Sequence, residues 1–405
     1  MKVWITDRWW GEDPTTHKKT RKKSDFGAGS RWQVSYYEEK NDGTRAIVSR
    51  KFAKLADAEA FRTRTEHQLR EGSYLSQESL NRTLLDAANA WLASKKKPSG
   101  ASLHKYRNGL EIWVLPAWGR RKLSTIQRTE IDLWLTSLAD GTAPRDVTRR
   151  VKRGGMSPGG IAGVWVPFQA SLAYAVELGW ISKNPARGVE LPKVRPTERV
   201  FLDYVEVERL VNAARSIRGQ LSDAVMVELM AYSGLRPGEA VALQIQHVDL
   251  KRRRIRIRRT VTIDINGTPT FGEPKHGERR EVPIAPHLLD DLAQLMQGKE
   301  ASAPLLESVR GHFINIHNWR GRVWNTAVDS AGLDREVLTP KALRHTAASM
   351  AIAAGADVKV VQSMLGHADA SMTLNTYADL WPDRLDEVTD AVSARRSEAL
   401  GLQSS

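Results

Sequence analysis

The chain has 405 residues, 41% of them hydrophobic and 27% charged, with 61 Lys and Arg against 47 Asp and Glu, a formal net charge of +14. That length supports two or three domains, and the positive surplus points to a polyanionic partner, nucleic acid ahead of an anionic membrane surface. The absence of cysteine excludes a disulfide framework and a cysteine-based zinc site, and the ten histidines show no HExxH spacing.

MKVWITDRWW sets a charge and tryptophans where the apolar core of a signal peptide would fall, and no uninterrupted apolar run long enough to span a bilayer is read anywhere. A soluble intracellular protein with no membrane partner is expected. After this short alternating piece comes a polar, basic loop, HKKTRKKSDFGAGS. RWQVSYYEE then alternates Trp32, Val34 and Tyr36 as a half-buried strand does, NDGT marks a tight turn, and RAIVSRKF reads as the returning strand. LADAEAFRTRTEHQL follows as a helix with Leu55, Phe61 and Leu69 among its apolar positions. Residues 1–75 are thus expected to form a small α+β unit, a three-stranded sheet plus a helix. A structural cap is the plain reading. Basic and aromatic residues fall together on the exposed face, which favours nucleic-acid binding, with Arg31, Trp32 and Arg45 as candidate contacts.

Residues 76–189 read as all helix. LNRTLLDAANAWLASKKK carries Leu84, Leu85, Ala88, Trp91 and Leu92 at helical spacing. SLHKYRNGLEIWVLPAW is predicted as a second helix ended by Pro116, and TEIDLWLTSL as a third with Thr129 as N-cap. MSPGGIAGVWVPFQASLAYAVELGWI is a fourth, started by Ser157-Pro158 and kinked at Pro167. Between the third and fourth lies APRDVTRRVKRGG. Such a run is usually a solvated surface; here Arg149, Arg150 and Lys152 are also candidate phosphate contacts.

Three prolines and few apolar residues mark 184–200 as the clearest linker, and residues 190–200 are assigned to it. The third segment, 201–384, is mixed α/β and mainly helical. RRRIRIRRTVTI reads as a strand with one wet, basic face, and TPTFGEPKHGERREVPI as two strands around the turn PKHGE. PDRLDEVTDAVSARRSEAL closes the chain as a helix with Leu385, Val388 and Val392 on one face, residues 385–405 being set apart as a tail.

Five pieces of the third segment carry chemistry. SGLRPGEA holds Arg236 and Glu239, PKHGE places Lys275 at a hairpin turn, and LTPKALRHTAASM starts a helix at Pro340 with Lys341, Arg344 and His345. LGH supplies His367 and NTY supplies Tyr377. Singly, each has an ordinary reading: a local ion pair, a solvated turn lysine, a decorated helix face, or the helix-turn-helix that GADVKVVQSMLGHADASMTLNTY could form. Together they are the parts for phosphoryl transfer at a DNA phosphodiester. Arginine forks clamp phosphate oxygens and balance charge in a five-coordinate transition state. A positioned phenol is a credible nucleophile, a lysine can protonate the departing 5′ oxygen, and a histidine can bond the phosphate or help take the phenol proton. With these cations no metal or other cofactor is needed.

In its order of SGLRPGE, a hairpin lysine, LRHTAAS, LGH and a tyrosine ten residues later, the segment Ser233–Tyr377 resembles the catalytic domain of the tyrosine recombinase, or phage integrase, family. The helical segment ending in GWISKNPA resembles the family's core-site-binding domain. WQVSYYEEKNDGT and KLADAEAF resemble the small arm-type-binding domain of phage and integrative-element integrases. The resemblance implies that Arg236 and Arg344 bind phosphate, Lys275 is the general acid, His367 contacts the scissile phosphate and Tyr377 forms a 3′-phosphotyrosine bond. The family usually has histidine three residues before the second arginine. Here that position is Lys341, a known alternative and a poorer base near neutral pH, so the acceptor of the Tyr377 proton is left open. His345 is given a structural role, and Glu239 the orienting of a helix or an arginine.

The resemblance further implies a homotetramer on double-stranded DNA attachment sites in the bacterial cytoplasm, nucleoid-associated when bound. A host DNA-bending protein and an excision factor would set direction, and the last helix would dock on a neighbouring protomer or on its own domain. Two other classes compete: a non-catalytic DNA-binding protein, and a type IB topoisomerase without site choice. A resolvase of chromosome or plasmid multimers is a close relative that usually lacks the extra N-terminal domain.

Overall fold

The structure, a computed structural model, describes residues 2–12, 15, 17–22, 26–39, 44–96, 99–148, 154–194, 199–264, 266, 268–274, 279–381 and 385–400. The chain divides into two compact units, Met1–Arg195 and Pro196–Ser405.

The first unit opens with β1 (Val3–Asp7), β2 (Trp10–Glu12), β3 (Lys19–Arg21), β4 (Trp32–Glu39) and β5 (Arg45–Phe52), followed by α1 (Leu55–Arg70). An antiparallel sheet runs in the order β1-β4-β5, with Val3 opposite Tyr36 and Val34 opposite Arg50. The alternation in β4 sends Val34 and Tyr36 inward against Val3 and Ala58, so one face of the sheet and α1 share a small core. β2 and β3 pair separately, β3 lying inside the stretch expected to be a basic loop. The Arg21 guanidinium lies 5.7 Å from the Trp10 ring and 4.4 Å from the Phe26 ring, a cation–π stack that composition alone does not reveal. The NDGT turn lies largely outside the described residues.

The rest of this unit is helical: α2 (Gln77–Asn81), α3 (Leu84–Ala93), α4 (Gly100–Gly109), α5 (Leu115–Trp118), α6 (Arg128–Asp140) and α7 (Pro158–Glu177). Leu84, Trp91, Leu110, Trp118, Ile131, Trp134, Phe168 and Leu172 make its core. Two expected helix ends differ. Pro116 does not end the second helix; it sits in the first turn of α5, after a π-helical turn at Leu110–Val114. Proline cannot donate, and the Ile112 carbonyl in that turn instead accepts the Asp146 N–H at 2.9 Å. Nor does Thr129 cap α6: Gln127 does, in a capping box with Glu130. Ser157 does cap α7, and Pro158 opens it. Contrary to the expectation that no apolar run reaches that length, α7 is long and apolar enough to cross a membrane by composition. Its Ile161, Val164, Phe168 and Leu172 are buried in the protein core, as in the central helix of a globular domain.

The second unit contains α8 (Tyr204–Arg218), α9 (Leu221–Tyr232), α10 (Pro237–Ala240), β6 (Val248–Asp249), β7 (Arg254–Ile257), β8 (Thr260–Ile263), β9 (Pro269–Gly272), β10 (Arg280–Pro283), α11 (Leu289–Met296), α12 (Ile316–Trp319), α13 (Asn325–Ser330), α14 (Ala342–Ala353), α15 (Val358–Leu365), α16 (Ala370–Tyr377) and α17 (Leu385–Ala399). Residues Ser222–Ala231 of α9 are all buried, which makes it the centre of the unit. Asp223, fully enclosed, is held by Arg218 at 2.9 and 2.5 Å and by the Trp319 indole N–H at 2.9 Å.

RRRIRIRRTVTI divides into two strands, β7 and β8. The strands on either side of residue 275 do not pair with each other. β9 pairs with β8, while β10 joins β7 and β6 in a separate antiparallel sheet. The expected turn PKHGE lies largely outside the described residues. Ile255, Ile257 and Val282 are fully buried, and the register Val282 opposite Ile255 brings β10 to β7 so that they share one core. In α17, Val392 is 62% exposed and not packed on its own unit.

Candidate active site

The site grows from the turn after α9. Gly234 has φ +67°, and a Cβ there would stand 2.9 Å from Leu365 Cδ2. Glycine thus lets the backbone pass close beneath α15, where its carbonyl accepts Arg344 Nη1 at 2.8 Å. Two residues on, Arg236 is the N-cap of α10, Pro237 fills the first turn, and Glu239 returns to cap the Arg236 N–H at 2.9 Å.

Glu239 organises the charge. Its carboxylate also accepts Arg236 Nη1 at 2.7 Å and Arg280, from the start of β10, at 3.0 and 2.8 Å. Burial alone would raise its pKa, but the hydrogen bonds and charge of Arg280, followed by Arg236, hold it at about 2. Each guanidinium then reaches the C-terminal end of α15. Arg280 Nε donates to the Met364 carbonyl at 3.0 Å, Arg344 Nη2 to that of Leu365, and Arg236 Nη2 to that of Gly366 at 3.1 Å. Three successive carbonyls thus each receive one arginine, where the helix leaves acceptors unpaired and its dipole is negative.

Arg344 and the Arg280 side chain are 4% and 7% exposed, while the Arg236 side chain is 28% exposed and faces solvent. Burial, then the like charges of Arg236 and Arg280, lowers the Arg344 pKa to about 9, which still leaves it protonated at neutral pH. Among the described residues one carboxylate, Glu239, hydrogen-bonds two of these arginines, and Arg344 bonds only backbone carbonyls. The cluster carries unbalanced positive charge and spare N–H donors, suited to an anion with several oxygens.

Gly366 caps α15 with φ +59°. His367 follows, its N–H donating to the Gln362 carbonyl at 3.1 Å and its Nδ1 sharing a 2.9 Å hydrogen bond with Thr373 Oγ1. Burial and then Arg344, Arg236 and Arg280 push its pKa down to about 4. Asp369 caps α16 by accepting the Ser371 N–H at 2.9 Å. Tyr377, the last residue of α16, is 2% exposed, packed with Ala348, Ile352, Val361 and Leu365. Burial raises its phenol to about 12 against the opposing pull of Arg344 and Arg199. Its Oη lies 2.7 Å from His345 Nδ1.

Of the residues singled out in the sequence, Arg236, Arg344, His367 and Tyr377 come together here. Lys341 is exposed ahead of α14. Lys275, Arg149, Arg150 and Lys152 lie outside the described residues. Arg31, Trp32 and Arg45 belong to the first unit. Arg31 is paired with Asp7 at 2.8 Å and stacked 4.7 Å from the Trp32 ring centroid, so much of its charge is already matched; Arg45 is exposed at the start of β5. Arg280 and the phenol contact of His345 escaped sequence reading. The signal for Arg280 was Glu239, an acid within a strongly basic segment.

Residues 200–384 match the phage integrase family. Tyrosine recombinase XerC of Mycobacterium sp. strain KMS is 30% identical over 322 residues, spanning 77% of this chain and 99% of the relative. The chain belongs to the tyrosine recombinase family. Among solved structures, the Tn1549 transposon integrase in complex with a circular intermediate DNA superposes with a TM-score of 0.62 at 16% identity, over 77% of this chain and 99% of that one. A lambda integrase tetramer bound to a Holliday junction superposes with a TM-score of 0.56 at 14% identity, over 84% and 94%. These likenesses are of fold: multidomain integrases, rich in helix. XerC finds nearly its whole length within this tyrosine recombinase, which has a further portion that XerC lacks.

Proposed function

We propose that this tyrosine recombinase is an integrase that cleaves and rejoins double-stranded DNA at specific attachment sites, integrating a phage or other mobile element and excising it with accessory factors. The observation that carries the reading is the unbalanced cluster: three arginines converge on the end of α15 around one buried carboxylate, just before His367. A scissile phosphate is an anion with the oxygens this cluster lacks. Arg236 and Arg344 hold its non-bridging oxygens, and His367 adds a contact. Tyr377 Oη attacks phosphorus in line and forms a 3′-phosphotyrosine bond, while Lys275 protonates the departing 5′ oxygen. The 5′ hydroxyl of the partner duplex then attacks that bond. Phosphodiester energy is kept in the covalent link, so no ATP is required, and the arginine cations balance the charge that a metal would otherwise meet.

In this reading residues 1–75 bind arm-type sites and residues 76–189 bind the core site. Residues 190–200 link these to a catalytic domain, 201–384, and residues 385–405 reach a neighbouring protomer of a tetramer on DNA in the bacterial cytoplasm. The exposed Val392 supports that last assignment. The portion of the chain beyond the XerC match supports an integrase over a multimer resolvase. The test is a supercoiled plasmid carrying DNA that flanks the protein's own gene, incubated with the protein and a second fragment. Recombinant junctions at one sequence are expected. Relaxation spread over many sequences would instead indicate a topoisomerase, and binding without new junctions a non-catalytic DNA-binding protein.

A further inference from the structure

We propose that His345 accepts the proton of Tyr377 during DNA cleavage and returns it during rejoining, resting on the phosphotyrosine reading above. The geometry comes first. His345 Nδ1 and Tyr377 Oη stand 2.7 Å apart, although 32 residues separate them in sequence. Among the described residues, His345 is the hydrogen-bond partner of that hydroxyl. Tyr377 is buried in an apolar cluster with Ala348, Ile352, Val361 and Leu365, and Arg344 and Arg199, whose charges act on the phenol, are donors that offer it no acceptor.

Direction follows from polar accounting. If Nδ1 carried a proton and donated it to Oη, the phenol's own proton would be buried without an acceptor, at a cost of roughly 1–3 kcal/mol. If Oη donates to an unprotonated Nδ1, both groups are satisfied. The imidazole then carries its proton on Nε2.

Charge supports the same arrangement. Burial, and then Lys341, Arg199 and Arg344, push the His345 pKa down to about 4, so the ring is neutral and keeps a free lone pair at neutral pH. Lys341, in the position where the family usually has histidine, is an exposed cation with no lone pair to offer. A bound phosphate brings negative charge into this cationic surround and makes protonation of His345 easier.

The step balances. The Oη–H bond breaks as the Oη–P bond forms, and the proton passes to Nδ1. The P–O5′ bond breaks, and its oxygen takes a proton from a separate acid. In rejoining, a 5′ hydroxyl attacks phosphorus, the Oη–P bond breaks, and Oη recovers its proton from the His345 imidazolium.

Two measurements on the full chain test this. In the protein labelled with ¹⁵N-histidine, the ring shifts of His345, assigned by their loss in His345→Asn, are expected to show the Nε2–H tautomer. The Nδ1–H tautomer would overturn the proposal. The second measurement follows covalent adduct on nicked duplex fragments from the DNA flanking the gene. Asparagine can place a carbonyl where Nδ1 stood and keep the hydrogen bond, but it cannot take a proton. His345→Asn is expected to slow adduct formation roughly 10²–10⁴-fold with DNA affinity retained. Trifluorotyrosine at position 377, a more acidic phenol, should recover much of that loss in the variant and change the unsubstituted chain little. A merely positioning histidine would show no such recovery, and that result, or an undiminished rate, overturns the assignment. If the unsubstituted chain forms no adduct on any fragment, the recombinase reading itself fails and takes this step with it.

Discussion

Glu239 is 1% exposed and anchors Arg236 and Arg280 at once. Removing it in Glu239→Ala leaves buried guanidinium charge without its counter-ion. The expected loss is about 3–5 kcal/mol, read as a lowered midpoint in urea unfolding. The histidines predict a pH effect of defined sign. His345 and His367 both titrate in the folded protein at about 4, below their ordinary value near 6.5. Their stabilising share is therefore complete above pH ~6.5 and lost as pH falls toward 4, because the unfolded chain binds the protons first. Thermal melting between pH 7.5 and 4.5 should fall less in His345→Asn than in the unsubstituted chain; an equal fall would contradict the depressed pKa. Motif order made Arg236, Arg344, His367 and Tyr377 legible in the sequence. Arg280 was not, because its tie to Glu239 spans 41 residues and depends on where β10 pairs. The contact of His345 with the Tyr377 hydroxyl was not legible, because sequence does not reveal which neighbour a buried phenol will face.

α15, Gly366 and α16 form the element that sets the site. The cap glycine has φ +59°, and a Cβ there would meet Arg280 Cδ at 2.8 Å. Gly366→Ala should therefore cost at least the ~1–2 kcal/mol of the left-handed conformation and displace Arg280, seen as a lower melting temperature together with slower adduct formation. Local chemistry made the Ser157 cap ahead of α7 readable. The π-helical turn before Pro116 and the pairing of β10 with β7 were not readable, because each is decided by a distant partner: the Asp146 N–H in one case and Ile255 in the other. α7 shows the limit of composition. Its apolar length suits a membrane, yet its inward face fills a protein core around Phe168. Leu172→Ala in that core should cost about 2–5 kcal/mol by denaturant unfolding.

Two compact units, each with its own buried core, and a net charge of +14 describe the molecule as a whole. The unit Pro196–Ser405 packs around α9, so a fragment of those residues should unfold in one cooperative transition followed by circular dichroism. The charge predicts DNA affinity that falls linearly with the logarithm of salt concentration, with the full chain steeper than this fragment. The β2–β3 pairing within the first unit was not legible in the sequence, because it joins segments of which neither alone shows strand alternation. The proposed activity depends first on Tyr377 acting as a nucleophile toward DNA. Labelled nicked fragments from the DNA flanking the gene, incubated in EDTA and run on denaturing gels, test it most directly. A protease-sensitive protein–DNA adduct on one fragment, absent from Tyr377→Phe, is the expected result. An adduct that survives Tyr377→Phe, or native-gel binding of that DNA with no adduct from either protein, would contradict the claim.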